Sequence, residues 1–586
     1  MASAVVILVV ALWIAGAVLQ TIAAARSLDA GVVTLEGLQA AGSGDLLTSL
    51  TETSDAAAGH DAETLPATLA TAGAQFADAA ARLGSPVLAP VRVTPFLGRQ
   101  LGASRELAEA ARTVTNAAAD AAATLADLDE DGARLPSDRV EVAQAVRDAL
   151  EIMHTELSSV EIPTTDALIG PIESARQTFD EELATLTTAV DDALTAVSGV
   201  AVMLEGPTRY LVIAANNAEM RAGSAMFLQA GPMDIDDGTF TLGEFEPTEA
   251  LYSEEPQARL DPDIAALWGD LEPSQEWRNL NLTPRFDEAA RMAAEMWTAA
   301  GRGELDGVVA VDIIGLRNIL EVIGPVEVDV DGTLRSIDAQ NVAQELLLGQ
   351  YQQFPDDASG RREVLGRVAS AAFTALNEGE LSMRDLLDVL RRSGDGRNLL
   401  LWSDEAEQRA AWDVLGLTGE VPENAVLPAL LNRGGNKLDQ FVEMEAELVI
   451  SDTGNGRRLT VAITIRNEAP SGLPRYVEGP FPGSDFVAGE YFGLLALTIP
   501  TGAGDPSLEG GTIIRAGPDG TSRVVVAPVR LLRGESTEMV FDFELSEGWT
   551  ELDVLPSTRV PAVSWTADGT SWRDDATRTV DLEGSS

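Results

Sequence analysis

No cysteine occurs in the chain of 586 residues, histidine is found only at His60 and His154, and Lys437 is the single lysine. Without cysteine there can be no disulfides, thiolate nucleophiles, Cys-ligated zinc or iron–sulfur clusters. The two imidazoles lie far apart in Ala-rich helical stretches, which argues against a His-rich metal site and a Ser-His-Asp triad. His154 reads as a packed or solvent-facing side chain. Basic residues are few: 40 Lys plus Arg against 93 Asp plus Glu give a formal charge of −53 and a pI near 4.2. Such a surface repels phosphate backbones, so nucleic acid is not an expected partner. A strongly charged surface also simply stays soluble. No Walker A loop, dinucleotide fingerprint, nucleophile elbow or HExxH occurs.

Apolar residues are plentiful. At 45% hydrophobic residues and a mean hydropathy of +0.05 the chain can bury real cores. Its length predicts about three to five compact units. Residues 2–25 carry no charge, and as a helix they would span about 36 Å, enough for a bilayer core of about 30 Å. Ala23-Ala24-Ala25 offers a cleavage point for a signal peptide, but the apolar block from Ala4 to Leu19 exceeds a usual signal core. We read residues 1–26 as an uncleaved single-pass membrane anchor. The body is then extracytoplasmic, since a lone N-terminal apolar helix is the ordinary export signal and the body has no thiols.

Residues 27–204 repeat apolar side chains at helical spacing: Phe179, Leu183, Leu186, Val190, Leu194 and Val197 share one face. Prolines at 86, 90, 95, 136, 163 and 171 break the segments, and a helical bundle or stalk follows. At Pro207 the pattern changes. TRYLVIAANN reads as a buried strand, and AMFLQAG and GTFTLGEFE as strands about an acidic turn, Asp234 to Gly238. RFDEAARMAAEMWTAAG reads as a helix, DGVVAVD as a strand, and IIGLRNILEVIG as a helix closed by Gly324-Pro325. Alternation of this kind predicts a layered α/β domain over 205–435. Residues 436–586 read as strands with turn signals, ending in a hairpin over Asp568-Gly569, and predict a β-sandwich. The fold class is α/β plus all-β.

Five segments in this order carry a resemblance: YLVIAANNAEMRAGS (210–224), WRNLNLTPRFDEAARMAAEMW (277–297), DGVVAVDIIGLRNILEVIGPVEV (306–328), GGNKLDQFVEMEAEL (434–448) and LPRYVEG (473–479). They resemble the bacterial domain of unknown function 4012 family, and PFLGRQLGASRELAEAA (95–111) resembles its usual upstream region. The resemblance implies a cell-envelope protein with one N-terminal membrane helix, and no particular activity. The family usually continues its Asn-Asn-Ala-Glu-(Leu/Met)-Arg motif with Thr-Gly-Gly-Phe. Here Arg221 is followed by Ala222-Gly223-Ser224-Ala225-Met226-Phe227, so a glycine has been lost or displaced. If the glycines admit a ligand to the backbone, the site is altered in this chain.

A weaker likeness, in the order of elements, is to the LytR-CpsA-Psr phosphotransferases. It implies handling of polyprenyl-linked glycan or a cell-wall polymer, with Mg²⁺ possible as cofactor. Forked guanidinium groups suit a pyrophosphate, which singles out Arg221, Arg361, Arg362 and Arg367. The bland reading is that RREVLGRVASAAF is an exposed helix whose arginines pair with Asp356, Asp357 and Glu363. Asn216, Asn217 and Glu219 end a predicted strand, where α/β sheets place ligand groups, and serve equally well as caps. Asp306 and Asp312 read as turn and N-cap residues. The competing function is a non-catalytic envelope scaffold or surface interaction protein.

Overall fold

A computed structural model describes residues 64–131, 136–162, 167–330, 332–354, 358–378, 383–453, 456–480, 483–545, 548–567 and 569–582. The expected membrane anchor at residues 1–26 lies outside them. The chain forms two compact units, one made of residues up to Val202 with Glu380–Asp388, the other of Met203–Gly379 with Val389–Ser586.

The first unit is helical, as the apolar spacing predicts. Helices Thr64–Leu83, Leu97–Asp131, Pro136–Ser158 and Gly170–Glu205 enclose a core of Phe76, Leu107, Val114, Met153, Phe179 and Val190 among many alanines. Alanine stripes let helix backbones approach closely, so a few large side chains fill the remaining space. Among the described residues, Gly170–Glu205 is long and apolar enough to cross a membrane. Its Phe179, Leu186 and Val190 lie in the bundle core, which accounts for that apolarity. His154 is half-exposed and faces Asp191 at 3.1 Å.

The second unit opens with strands β1 (Thr208–Met220), β2 (Ala225–Asp236), β3 (Thr239–Leu242), β4 (Glu246–Pro247), β5 (Gly307–Val311), β6 (Val326–Val330), β7 (Thr333–Ile337) and β8 (Leu399–Ser403). One sheet runs β3-β2-β1-β5-β8 with β4 on β2, and β6-β7 is a separate hairpin. β1 and β5 are parallel, with β2, β3, β4 and then the helix Phe286–Ala299 between them in the chain, while β8 adds antiparallel to β5. Alternate residues of β1 face opposite layers. Leu211 and Ile213 pack with Ala293 and Met296 of the helix Phe286–Ala299; Tyr210 and Val212 pack with Met203, Phe240 and Phe373. The expected acidic turn is shorter than its sequence suggests. β2 continues to Asp236, and only Asp237 and Gly238, both at positive φ, make the reversal, as a two-residue hairpin turn requires.

Twelve further strands follow: β9 (Ala425–Asn432), β10 (Val442–Asp452), β11 (Arg457–Asn467), β12 (Tyr491–Pro500), β13 (Ser507–Glu509), β14 (Arg515–Asp519), β15 (Ser522–Leu531), β16 (Ser536–Leu545), β17 (Glu551–Val554), β18 (Ser564–Ala567), β19 (Thr570–Arg573) and β20 (Arg578–Asp581). They form two six-stranded sheets, β13-β16-β11-β10-β18-β19 and β14-β15-β12-β9-β17-β20, whose facing residues share one core around Phe541, Trp565, Tyr491 and Leu495. β9, preceding the expected boundary at 435, belongs to these sheets. It is buried on both faces: Val426 and Leu430 enter this shared core, while Ala429 and Leu431 join the core beneath β1. Pro428 is tolerated there because β17 pairs only with Ala425 and Val426, leaving no ladder bond for Pro428 to break on that side.

Candidate functional site

The C-terminal end of β1 is irregular. Its register against β2 slips between Ala214 and Ala215 and again between Asn216 and Met220, and such bulges re-aim side chains. Asn217 is fully buried. Its Nδ2 donates to Asp312 Oδ2 at 2.8 Å and to the Thr558 carbonyl at 2.9 Å, and its Oδ1 accepts from Ile313 N at 3.0 Å. Both amide hydrogens are therefore spent within the protein. Asp312 caps the helix Ile313–Ile323, accepting from Ile314 N and Gly315 N at 2.9 and 2.8 Å, and takes a further bond from Asn398. Burial pushes its carboxyl up to about 6 against those bonds. Asp306 accepts from Arg209 N at 2.6 Å at the start of β5.

Asn216 and Glu219 turn to a different neighbourhood. Asn216 Nδ2 donates to Tyr351 Oη at 3.2 Å, and the Glu219 carboxylate meets the Lys437 ammonium in a buried ion pair. Tyr351 and Tyr476 stack with centroids 5.8 Å apart and planes 16° from parallel. The Lys437 Nζ lies 5.7 and 5.6 Å from the two rings. Arg361 lies 5.5 Å from Tyr351 and 4.2 Å from Tyr476, and also donates to the Phe354 carbonyl. Tyr476 is 49% exposed, whereas Tyr351, Arg361 and Lys437 are buried, so the cluster reaches solvent through the Tyr476 ring. Burial lowers the Lys437 ammonium to about 7, with Asp439 pulling the other way. Burial also holds the Tyr351 phenol above its ordinary range. Two cations thus sit on one aromatic pair with one carboxylate beside them, an arrangement that suits an anion or a cation–π contact.

Arg221 is placed elsewhere. Its guanidinium is buried and donates to the carbonyls of Arg278 at 3.0 Å, Met220 at 2.9 Å and Asn432 at 2.9 Å. Burial lowers it to about 9, helped by the charge of Arg433. Below it Asp439 accepts from Met220 N, Asn432 Nδ2 and Tyr491 Oη at 3.2, 2.7 and 2.9 Å, with Arg559 at 3.5 Å. These residues stitch the end of β1 to β9 and β12. Arg367 is exposed and donates to the Asp329 carbonyl. The side chain of Arg362 lies outside the described residues, as do Asp356, Asp357 and the Glu363 side chain, so the expected pairing along that helix falls there too. Of the seven candidates, the structure gathers Asn216, Glu219 and Arg361. It separates Asn217 and Arg221 into buried joints and leaves Arg367 on the surface.

Lys437, Tyr351 and Tyr476 were missed by sequence reasoning. The available signal was rarity: the only lysine and two of five tyrosines fall here, with Lys437 and Tyr476 inside the quoted GGNKLDQF and LPRYVEG segments. Mg²⁺ fits these residues poorly. Among the described residues no three acidic or histidine side chains converge, and Glu219 already has Lys437 as its counter-charge.

No protein of curated function matches the chain. Among solved structures it is similar to protein gbs0355 from Streptococcus agalactiae, 13% identical over 37% of this chain and 74% of that one, with a TM-score of 0.23. It is similar also to Lin1025 from Listeria innocua, at 10% identity over 37% and 81% with a TM-score of 0.21, and to TagV of B. subtilis, at 11% over 36% and 80% with a TM-score of 0.20. Superpositions this loose transfer no residue roles. Residues 205–351 match the model described as Protein of unknown function (DUF4012), a span that takes in β1 and runs to Tyr351.

Proposed function

We propose that the chain is a cell-envelope protein, held to the membrane by residues 1–26 with its body outside. In this reading the Arg361–Tyr476–Lys437 cluster binds the phosphate-bearing headgroup of a lipid-linked glycan. One observation carries the proposal. In a chain with 93 acidic and 40 basic residues, the only lysine and Arg361 lie 5.6 and 4.2 Å from one half-exposed ring. The cluster gathers about the carboxyl end of a strand in a parallel pair, where α/β sheets place ligands. The Arg361 fork would hold phosphate oxygens and Lys437 would add charge, while Glu219 limits the surplus to about one positive charge and keeps Lys437 in place. The two C-terminal sheets we read as a β-sandwich serving as support.

The second reading, a non-catalytic scaffold, is favoured by Asn217 and Arg221, whose polar groups are taken up within the protein. Titration of the full chain in micelles with a short-chain polyprenyl pyrophosphate, with and without Mg²⁺, separates the two. Losing one charge-assisted contact should weaken binding about 10- to 150-fold in Arg361→Gln. Tyr476→Ala, at a half-exposed position, should also weaken it without unfolding. A folded wild type that does not bind, or variants that bind equally well, would leave the scaffold.

A further inference from the structure

The helical unit carries an apolar tip that the phosphate-site reading does not use. Between helices Thr64–Leu83 and Leu97–Asp131 the chain makes a short connection, and there Val93, Phe96 and Leu97 are 82, 55 and 53% exposed. Among the described residues eleven large hydrophobics are exposed, and three of them fall within these five positions. The tip is ordered. Leu83 and Leu101 are buried together against Val91 beneath it, Arg92 Nη2 donates to the Ser85 carbonyl at 3.0 Å, and Gly98 N donates to the Thr94 carbonyl at 3.0 Å. A Cβ on Gly98 would lie 2.0 Å from the Arg92 carbonyl, so the turn is tightly drawn and the three apolar groups are held outward. Charge points the same way. From Leu83 to Ser104 there is no acidic residue in a chain that has 93, while Arg92 and Arg99 flank the exposed groups.

We propose that this tip, Val93 to Leu97 with Arg92 and Arg99, docks on the surface of an anionic lipid bilayer. Protruding Phe, Leu and Val enter the headgroup boundary, and arginines beside them meet lipid phosphates, the division of labour of interfacial anchors. An acid-free, cation-flanked tip suits an anionic surface, whereas most of this chain's surface would be repelled by one.

The absence of cysteine gives a clean test. The full chain bearing Thr94→Cys, a position between the exposed side chains, is labelled with an environment-sensitive fluorophore. It is reconstituted in phosphatidylcholine vesicles with or without phosphatidylglycerol, with a quencher carried in the bilayer. Ile152→Cys, at an exposed site on another helix of the same unit, is the control. Quenching at position 94 should exceed that at 152 at least threefold in the anionic vesicles. It should fall by half or more with Arg92→Gln plus Arg99→Gln, and be lost with Phe96→Ser plus Leu97→Ser. Equal quenching at 94 and 152 would overturn the proposal. So would a label at 94 shielded from water but untouched by the bilayer quencher. Shielding of that kind that grows with protein concentration marks a second copy, and shielding independent of concentration marks residues 1–63 of the same chain.

Discussion

Lys437 shows how burial and pairing compete at a single residue. Desolvation disfavours its charged form and carboxylates favour it. With a folded value near 7 against 10.5, the unfolded chain holds this proton more tightly than the folded one. The stability linked to it is therefore full above about 10.5 and is lost as the pH falls through about 7. Because the lysine is unique, side-chain carbon labelling gives one resonance to follow. We expect a midpoint at least two units below 10.5, lower still in Glu219→Gln, where the anionic partner is gone. A midpoint near 10 would mean that the ammonium is solvated. Rarity made Lys437 visible in the sequence, but nothing there placed it on two tyrosines more than eighty residues before it and about forty after it.

At the scale of elements, the Asn-Asn-Ala-Glu-Met-Arg segment divides its residues among separate tasks. Asn217 joins β1 to the helix capped by Asp312, Arg221 and the Met220 amide join it to β9 and Asp439, and Asn216 with Glu219 faces the tyrosine pair. The surviving glycine packs against protein. A Cβ on Gly223 would lie 2.8 Å from the Thr283 carbonyl and 3.3 Å from Asn281 Cβ, in the segment that the sequence grouped with this motif. Gly223→Ala should lower stability by about 1–3 kcal/mol through overpacking, read from urea unfolding. An unchanged midpoint would show that the 281–283 turn gives way freely. Strand patterns were legible where one face is wet: β10 alternates buried Met444, Ala446 and Leu448 with exposed Glu443, Glu445 and Glu447. β9 was not, because both faces are covered and alternation disappears.

For the whole molecule, the two compact units have separate cores, and a cavity in one should be felt there. Phe179 is fully buried in the helical core. Phe179→Ala should cost about 3–5 kcal/mol of that unit's stability. Hydrogen exchange should speed up along helices Leu97–Asp131 and Gly170–Glu205 while β11 and β16 keep their protection. Equal loss in both would show that the units unfold as one.

Sequence alone determined that no thiol chemistry is available, the helical character of the first unit, the strands β1, β2, β3 and β5 with the helices between them, and most of the C-terminal strands. Those follow from composition and from periods of 3.6 and 2, which are local. The segments it singled out include those that carry Asn216, Glu219, Lys437 and Tyr476. Only the tertiary structure decided which charged groups meet. Arg221 and Arg361 look alike in the chain, yet one is enclosed by carbonyl oxygens and the other lies on an aromatic pair reaching solvent. The reason is that burial, partner geometry and the slip of β1 at its bulges depend on contacts between residues hundreds of positions apart. Asn217 with Thr558 and Glu219 with Lys437 are such contacts, and no local pattern records them.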